Sequence, residues 1–202
     1  MKRVKGNPDA YSHLRDWGLK LADCTVTMNA RVLDPVTLMF GKNYRETVND
    51  KADWGRAATS KNVLTAINLT KWAVVFFGKN EPIVKNFVTT LKNQAPKMGI
   101  QVAFPKVVKL NDDRTETYLK ELRGLIDPSV QMVLMIFPQM KSDRYSAVKK
   151  LCCLEMPVAS QVVNLKTISN DKRLASVAQK VILQINCKLG GEVNQSSEIW
   201  AQ

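Results

Sequence analysis

The chain has 202 residues, 45% of them apolar, and sets 30 Lys and Arg against 18 Asp and Glu for a formal charge of +12 at pH 7. A basic excess of that size favours a polyanionic partner, because each phosphate neutralised releases counterions. Several classes are disfavoured: no apolar run approaches the roughly 18–20 residues that span a bilayer, the start MKRVKGNPDAY lacks an apolar signal core, and four Cys without CxxC spacing beside the lone His13 do not compose a zinc site or a Cys–His nucleophile.

Residues 1–69 read as an extended linker arm. Residues 9–21 carry Leu14, Trp17 and Leu21 at helical spacing, and 25–33 read as an extended segment with Val26, Met28 and Val32 inward. Asp34-Pro35 and Gly41 break the chain, and the following stretch is polar and interrupted by Gly55. Such an arm is expected to pack on a neighbour.

From Lys71 the pattern becomes alternating strand and helix, in a domain taken as 70–191 with a tail at 192–202. WAVVFF (72–77) is a continuous apolar run, as buried parallel strands are; 81–98 follows as a helix with Pro82 in its first turn and Pro96 near its end. Residues 100–104 read as the second strand, 105–111 as a loop exposing Lys106 and Lys109, and a helix capped by Asp112 or Asp113 runs through Ile126. Strands at 131–137 and 158–165 bracket a helix capped by Ser142 or Asp143, and a last helix runs from 169–171 to Lys188, ended by Gly190-Gly191. The order implies an α/β, Rossmann-like, mostly parallel four-stranded sheet with helices on both faces. Ligands in such sheets sit beyond the carboxyl ends of the strands, where 138–145 and the neighbourhood of Gln161 are expected. Adjacent Cys152 and Cys153 read as helix residues of which at least one is buried.

The helix after 131–137 puts Tyr145 in its first turn and Lys149 one turn later on the same face. Free first-turn amides, the helix dipole, a tyrosine ring with its hydroxyl and an ammonium together outline an anion site. Tyr145-Ser-Ala-Val-Lys149, then Ser160-Gln161, then Gln184-Ile-Asn-Cys-Lys188-Leu-Gly-Gly191 resembles the guide-5′-end pocket of the Argonaute family, in the domain called MID. The surrounding words SDRYSAVKK, PVASQVVNLKTI and QINCKLGGE are similar to the Piwi branch, where Gln184 replaces a second Lys of many Argonautes. Residues 1–69 are similar to the linker preceding MID.

The resemblance implies a non-catalytic RNA-binding module for RNA silencing that anchors the 5′-phosphate and first base of a small guide RNA, a Piwi-interacting RNA. Tyr145 would stack on the base and bond the phosphate; Lys149, Gln161 and Lys188 would bond its oxygens. A loop of Pro138, Gln139, Met140, Lys141, Ser142, Asp143 and Arg144 would read the base, with uridine preferred. Gln184 would help hold a Mg²⁺ ion once RNA is bound. Such proteins work in cytoplasmic germ granules or the nucleus. The slicer nuclease would belong to a PIWI domain expected to begin after the KLGG segment. No GxGxxG, Walker loop, GxSxG or HExxH occurs. The alternatives are a protein-interaction module with an incidental basic face, and a small metal-dependent nuclease using Asp112, Asp113 and Glu116.

Overall fold

The computed structural model describes residue 4 and residues 6–196, so the tail beyond 196 lies outside the described residues. Two compact units are present, one within residues 1–34 and one from Pro35 onward. In the first, helix α1 (Pro8–Asp16) is capped by Asn7, whose Oδ1 accepts from the Asp9 and Ala10 amides at 3.0 and 3.3 Å. It ends before Gly18 (φ +67°), short of the expected Leu21. Residues 25–33 pair with no strand, and Val26, Met28 and Val32 are exposed rather than inward: alternation along one unpaired segment has no second strand and no core to face.

The second unit begins at Pro35, not at the expected 70. Strands β1 (Thr37–Met39) and β2 (Arg45–Thr47) pair antiparallel, and helix α2 (Gly55–Ser60) buries Ala57 and Ala58 with Leu38, Phe40 and Val48 against Leu183 and Val193. The stretch is fastened further by Asn186, which is buried, accepts from the Ile67 amide at 2.8 Å and donates to the Thr65 carbonyl at 3.0 Å.

The main sheet is parallel, in the order β4 (Lys106–Leu110), β3 (Trp72–Phe77), β5 (Met132–Phe137), β6 (Ala159–Asn164). Alternate residues of β3 and β5 serve two cores, which explains why both read as unbroken apolar runs. Val74, Phe76, Met132, Leu134 and Ile136 pack under helices α3 (Glu81–Gln94) and α7 (Asp171–Lys188); Ala73, Val75, Val133, Met135 and Phe137 pack under α4 (Thr115–Leu125) and α5 (Ser142–Lys150). Each fully buried side chain such as Phe87 or Leu91 contributes about 1.5–3 kcal/mol. The expected Rossmann-like architecture is the one observed. No helix among the described residues is long and apolar enough to cross a membrane.

Several expected boundaries shift. The second strand is Lys106–Leu110, not 100–104: Ile100 and Val102 are buried but Val102 forms only a single bridge with Leu69, and the ladder starts after Pro105, which has no N–H to donate. Helix α4 is preceded by Arg114, and Asp112 accepts from the Arg114 amide and the Thr117 hydroxyl instead of capping directly. Helix α5 begins after Lys141 with no side-chain cap, so Ser142, Asp143 and Arg144 form its first turn instead of a loop. Beyond α5 the chain widens into one π turn, Leu151–Glu155, burying Cys152 and exposing Cys153. A short helix α6 (Leu165–Ile168), capped by Asn164, follows β6. Helix α7 closes at Gly190 (φ +91°), and a Cβ on Gly191 would collide with the Asn186 side chain. Strand β7 (Gln195–Ser196), from the expected tail, pairs with β1.

Candidate nucleic-acid interface

Three elements converge at the start of β6, the edge strand. Register sets Ser160 opposite Val133 and Gln161 opposite Leu134, near the beginning of both strands. The cluster therefore lies along the outer edge of β6 and not beyond the carboxyl ends of the strands, where it was expected. The reason is direction: α5 and α7 run antiparallel to the strands they cover, so side chains late in both helices return to where the strands begin.

Lys149 donates to the Ser160 carbonyl at 3.0 Å and to its hydroxyl at 2.8 Å. Lys188 donates to the same carbonyl at 2.8 Å and to Gln161 Oε1 at 2.6 Å, while Gln161 Nε2 donates to the Val162 carbonyl at 3.1 Å. Two ammoniums thus share one main-chain oxygen, and neither has a carboxylate within ion-pair distance among the described residues. Burial first, and the charge of Lys149 second, pull the pKa of Lys188 below the ordinary lysine value. Tyr145, 40% exposed, holds its ring 5.9 Å from the Lys149 ammonium and leaves a face open to solvent.

The donor count is informative. An ammonium has three N–H groups and a primary amide two. Lys149 and Lys188 each spend two on the contacts above and Gln161 one, so each retains one free N–H. Three free donors, two of them cationic, around a site with no counter-charge suit a tetrahedral oxyanion.

Of the other expected site residues, Pro138, Gln139, Met140 and Lys141 form the connection from β5 to α5, with Met140 exposed. Ser142 and Asp143 are exposed on the first turn of α5. Arg144 is not available to a ligand: it is 1% exposed, lies beside the edge-to-face pair of Tyr118 and Phe137 with each ring 5.1 Å away, and sets Nη1 and Nη2 at 2.8 Å from the two carboxylate oxygens of Asp113. Gln184 is exposed one turn before Lys188 and makes no hydrogen bond, offering a single neutral oxygen. Sequence reasoning missed Ser160 as the common acceptor; its place before Gln161 was the only signal.

Of the three carboxylates weighed as a metal cluster, Asp112 and Asp113 are already occupied and Glu116 is exposed on the first turn of α4. Asp112 pairs with Arg114, which with the Thr117 hydroxyl holds its carboxyl well below the usual carboxylate range, and Asp113 pairs with Arg144. Among the described residues no three His, Cys, Asp or Glu gather as metal ligands.

Comparison with known proteins matches residues 132–200, from β5 onward, to the Piwi domain family. The Piwi-like protein Ago3 of Bombyx mori is 40% identical over 191 residues, which is 95% of this chain and 21% of the relative. The crystal structure of Drosophila Piwi superposes with a TM-score of 0.82 at 29% identity, covering 99% of this chain and 28% of that one. A crystal structure of Aa-Ago with externally bound siRNA shares the fold, with a TM-score of 0.68 at 19% identity over 96% of this chain and 29% of that one. The chain thus spans about a fifth of the length of the curated relatives it matches. With that identity sustained along nearly all of its length and the Piwi superposition beside it, the chain belongs to the Piwi branch of the Argonaute family.

Proposed function

We propose that the unit from Pro35 onward is a MID-type module that anchors the 5′-phosphate and first base of a small guide RNA, a Piwi-interacting RNA, and performs no catalysis itself. The observation that carries this is the pair of ammoniums on the Ser160 carbonyl, with Gln161 between them and three N–H donors unspent. A terminal phosphate presents as many oxygens and supplies the missing counter-charge. Tyr145 then stacks on the first base, and residues 138–141 read its edge through the backbone, with uridine preferred. That the Aa-Ago structure carries siRNA agrees with a nucleic-acid ligand for this fold. In the cell the module would act within a longer protein in germ granules, in the cytoplasm or in the nucleus.

Mg²⁺ fits only as a shared ligand. Gln184 gives one oxygen, and Mg²⁺ is commonly held by few protein oxygens plus phosphates and waters, so the ion would join with the RNA and not before it. Its contribution would be to neutralise phosphate charge beside Lys188.

The deciding experiment compares 5′-phosphorylated with 5′-hydroxyl RNA of one sequence. The phosphorylated RNA should bind more tightly by at least the roughly ten- to hundredfold that one charge-assisted contact of about 1.5–3 kcal/mol supplies, since the 5′-hydroxyl loses the contacts of both lysines. Equal affinity would remove the pocket and leave the interaction-module reading.

A further inference from the structure

The two edges of the main sheet are finished differently. At β6 the Ser160 carbonyl is covered by two ammoniums. At the opposite edge β4 pairs with β3 alone, and among the described residues no strand lies on its outer side. An uncovered edge presents main-chain donors and acceptors to any extended chain.

Beside β4 is a cleft of about 370 Å³ between that strand and α3. Its floor is Val74, Phe76, Val84 and Val88, and its wall is Phe104 and Val107. Those two wall residues are 67% and 52% exposed, so apolar surface stands in solvent at an open strand edge. The volume falls in the range of small-ligand clefts, about 300–1,000 Å³, and accommodates a bulky side chain.

The charge around the cleft is one-sided. Lys85, Lys92 and Lys109 stand on the cleft's side of the sheet, against the single carboxylate of Glu81, while Lys106, one residue before Val107, faces the other side of the sheet near Asp127. Glu81 is shared by Lys85 at 2.8 Å and Lys109 at 2.6 Å. Lys92 stands 3.6 Å over the Phe104 ring, and among the described residues neither it nor Lys106 has a carboxylate within ion-pair distance, although Asp127 lies close enough to Lys106 for its carboxyl to feel the charge.

We propose that this edge docks an extended acidic segment of a partner protein. The segment adds as a strand to β4, seats one bulky apolar side chain in the cleft, and sets its carboxylates against Lys92 on the cleft's face and Lys106 on the other face, as alternation along a strand allows. Main-chain pairing supplies affinity and the cleft supplies selectivity for alternate side chains. A second copy of this chain is a poor occupant, because its β4 would bring its own Lys106 and Lys109 to an edge that is already basic. RNA matches the charge but leaves the strand's hydrogen-bonding groups and the apolar cleft unused. The site lies at the edge away from Lys149 and Lys188 and stands or falls independently of phosphate binding there.

The test is an NMR titration of the ¹⁵N-labelled chain with a blocked peptide alternating Glu with Trp and Val. Shifts should concentrate on residues 104–110 and on α3. Phe104→Ala, and separately Lys92→Glu with Lys106→Glu, should each weaken binding about tenfold or more, whereas Lys149→Met and Lys188→Met should leave it unchanged. A peptide with Lys in place of Glu should not bind. The proposal is overturned by no shifts, by shifts gathered at Lys149 and Lys188, or by undiminished binding in the β4 variants. It is equally overturned if β4 signals change on concentrating the chain alone, or if 5′-hydroxyl RNA moves the same amides.

Discussion

Replacing Lys188 by Met separates what its ammonium does for a ligand from what it does for the fold. In the free protein the charge sits where burial and Lys149 both oppose it, and its pKa is lowered accordingly. The sign follows from linkage. Between the lowered folded value and the ordinary 10.5, the unfolded chain holds a proton that the folded chain has released, so stability rises with pH across that window. Below the window the cost of the charged form is fully present. At pH 7 the Met variant loses that cost together with two hydrogen bonds, and Ser160 keeps Lys149 as donor. These changes oppose one another, so the melting temperature should stay within about 4 °C of the parent, the shift that about 1 kcal/mol produces in a chain of this size. Binding has no such compensation: loss of a charge-assisted bond of about 1.5–3 kcal/mol weakens affinity for 5′-phosphorylated RNA about ten- to hundredfold. Fluorescence anisotropy and thermal melts at pH 7 and pH 10 measure both, and the parent should gain on the variant as pH rises. Unchanged affinity, or a melting difference that does not move with pH, refutes the reasoning.

Asp113→Ala should cost about 3–5 kcal/mol in urea unfolding, because it leaves the buried Arg144 guanidinium without its counter-charge beside two aromatic rings; adding Arg144→Met should recover much of that loss, and a single-variant cost under about 1 kcal/mol contradicts the pairing. Titration with the four 5′-monophosphate nucleosides should rank uridine first through the backbone of residues 138–141, because stacking on Tyr145 contributes about 1–3 kcal/mol to any base and ranks none; a flat ranking removes those residues as a reading loop. Mg²⁺ should strengthen binding of 5′-phosphorylated RNA in the parent and less so in Gln184→Ala; an equal response to chelator in both removes Gln184 as a ligand.

The parallel sheet was legible because β3 and β5 are apolar at every position, a pattern that suits a strand with a core on each face. The same logic misplaced the second strand. An edge strand needs less apolar density, so KVVKL was passed over for the more apolar 100–104, which is buried without joining the ladder. Residues 35–69 read as an arm because their polarity hides how they are held: the buried Asn186 bonds their main chain, a fastening with no signature in hydrophobic period.

At the candidate site, helical spacing made the Tyr145–Lys149 pair legible, but what those residues meet depends on contacts that spacing cannot carry. Arg144 reads from sequence as the last residue of a base-reading loop, yet it is a buried helix residue whose partner Asp113 lies 31 residues earlier and reaches it only once the fold has closed. An arginine beside a loop reads as exposed until such a carboxylate is found, since burial without one is costly. Ser160 is harder still, because the atom on which both lysines converge is its main-chain carbonyl, which every residue type has. Side-chain chemistry could not have selected it. Its role comes from lying at the outer edge of β6 where the ends of α5 and α7 return, so the site's acceptor is determined by strand order and register, while its cations and its Gln161 amide are determined by residue identity.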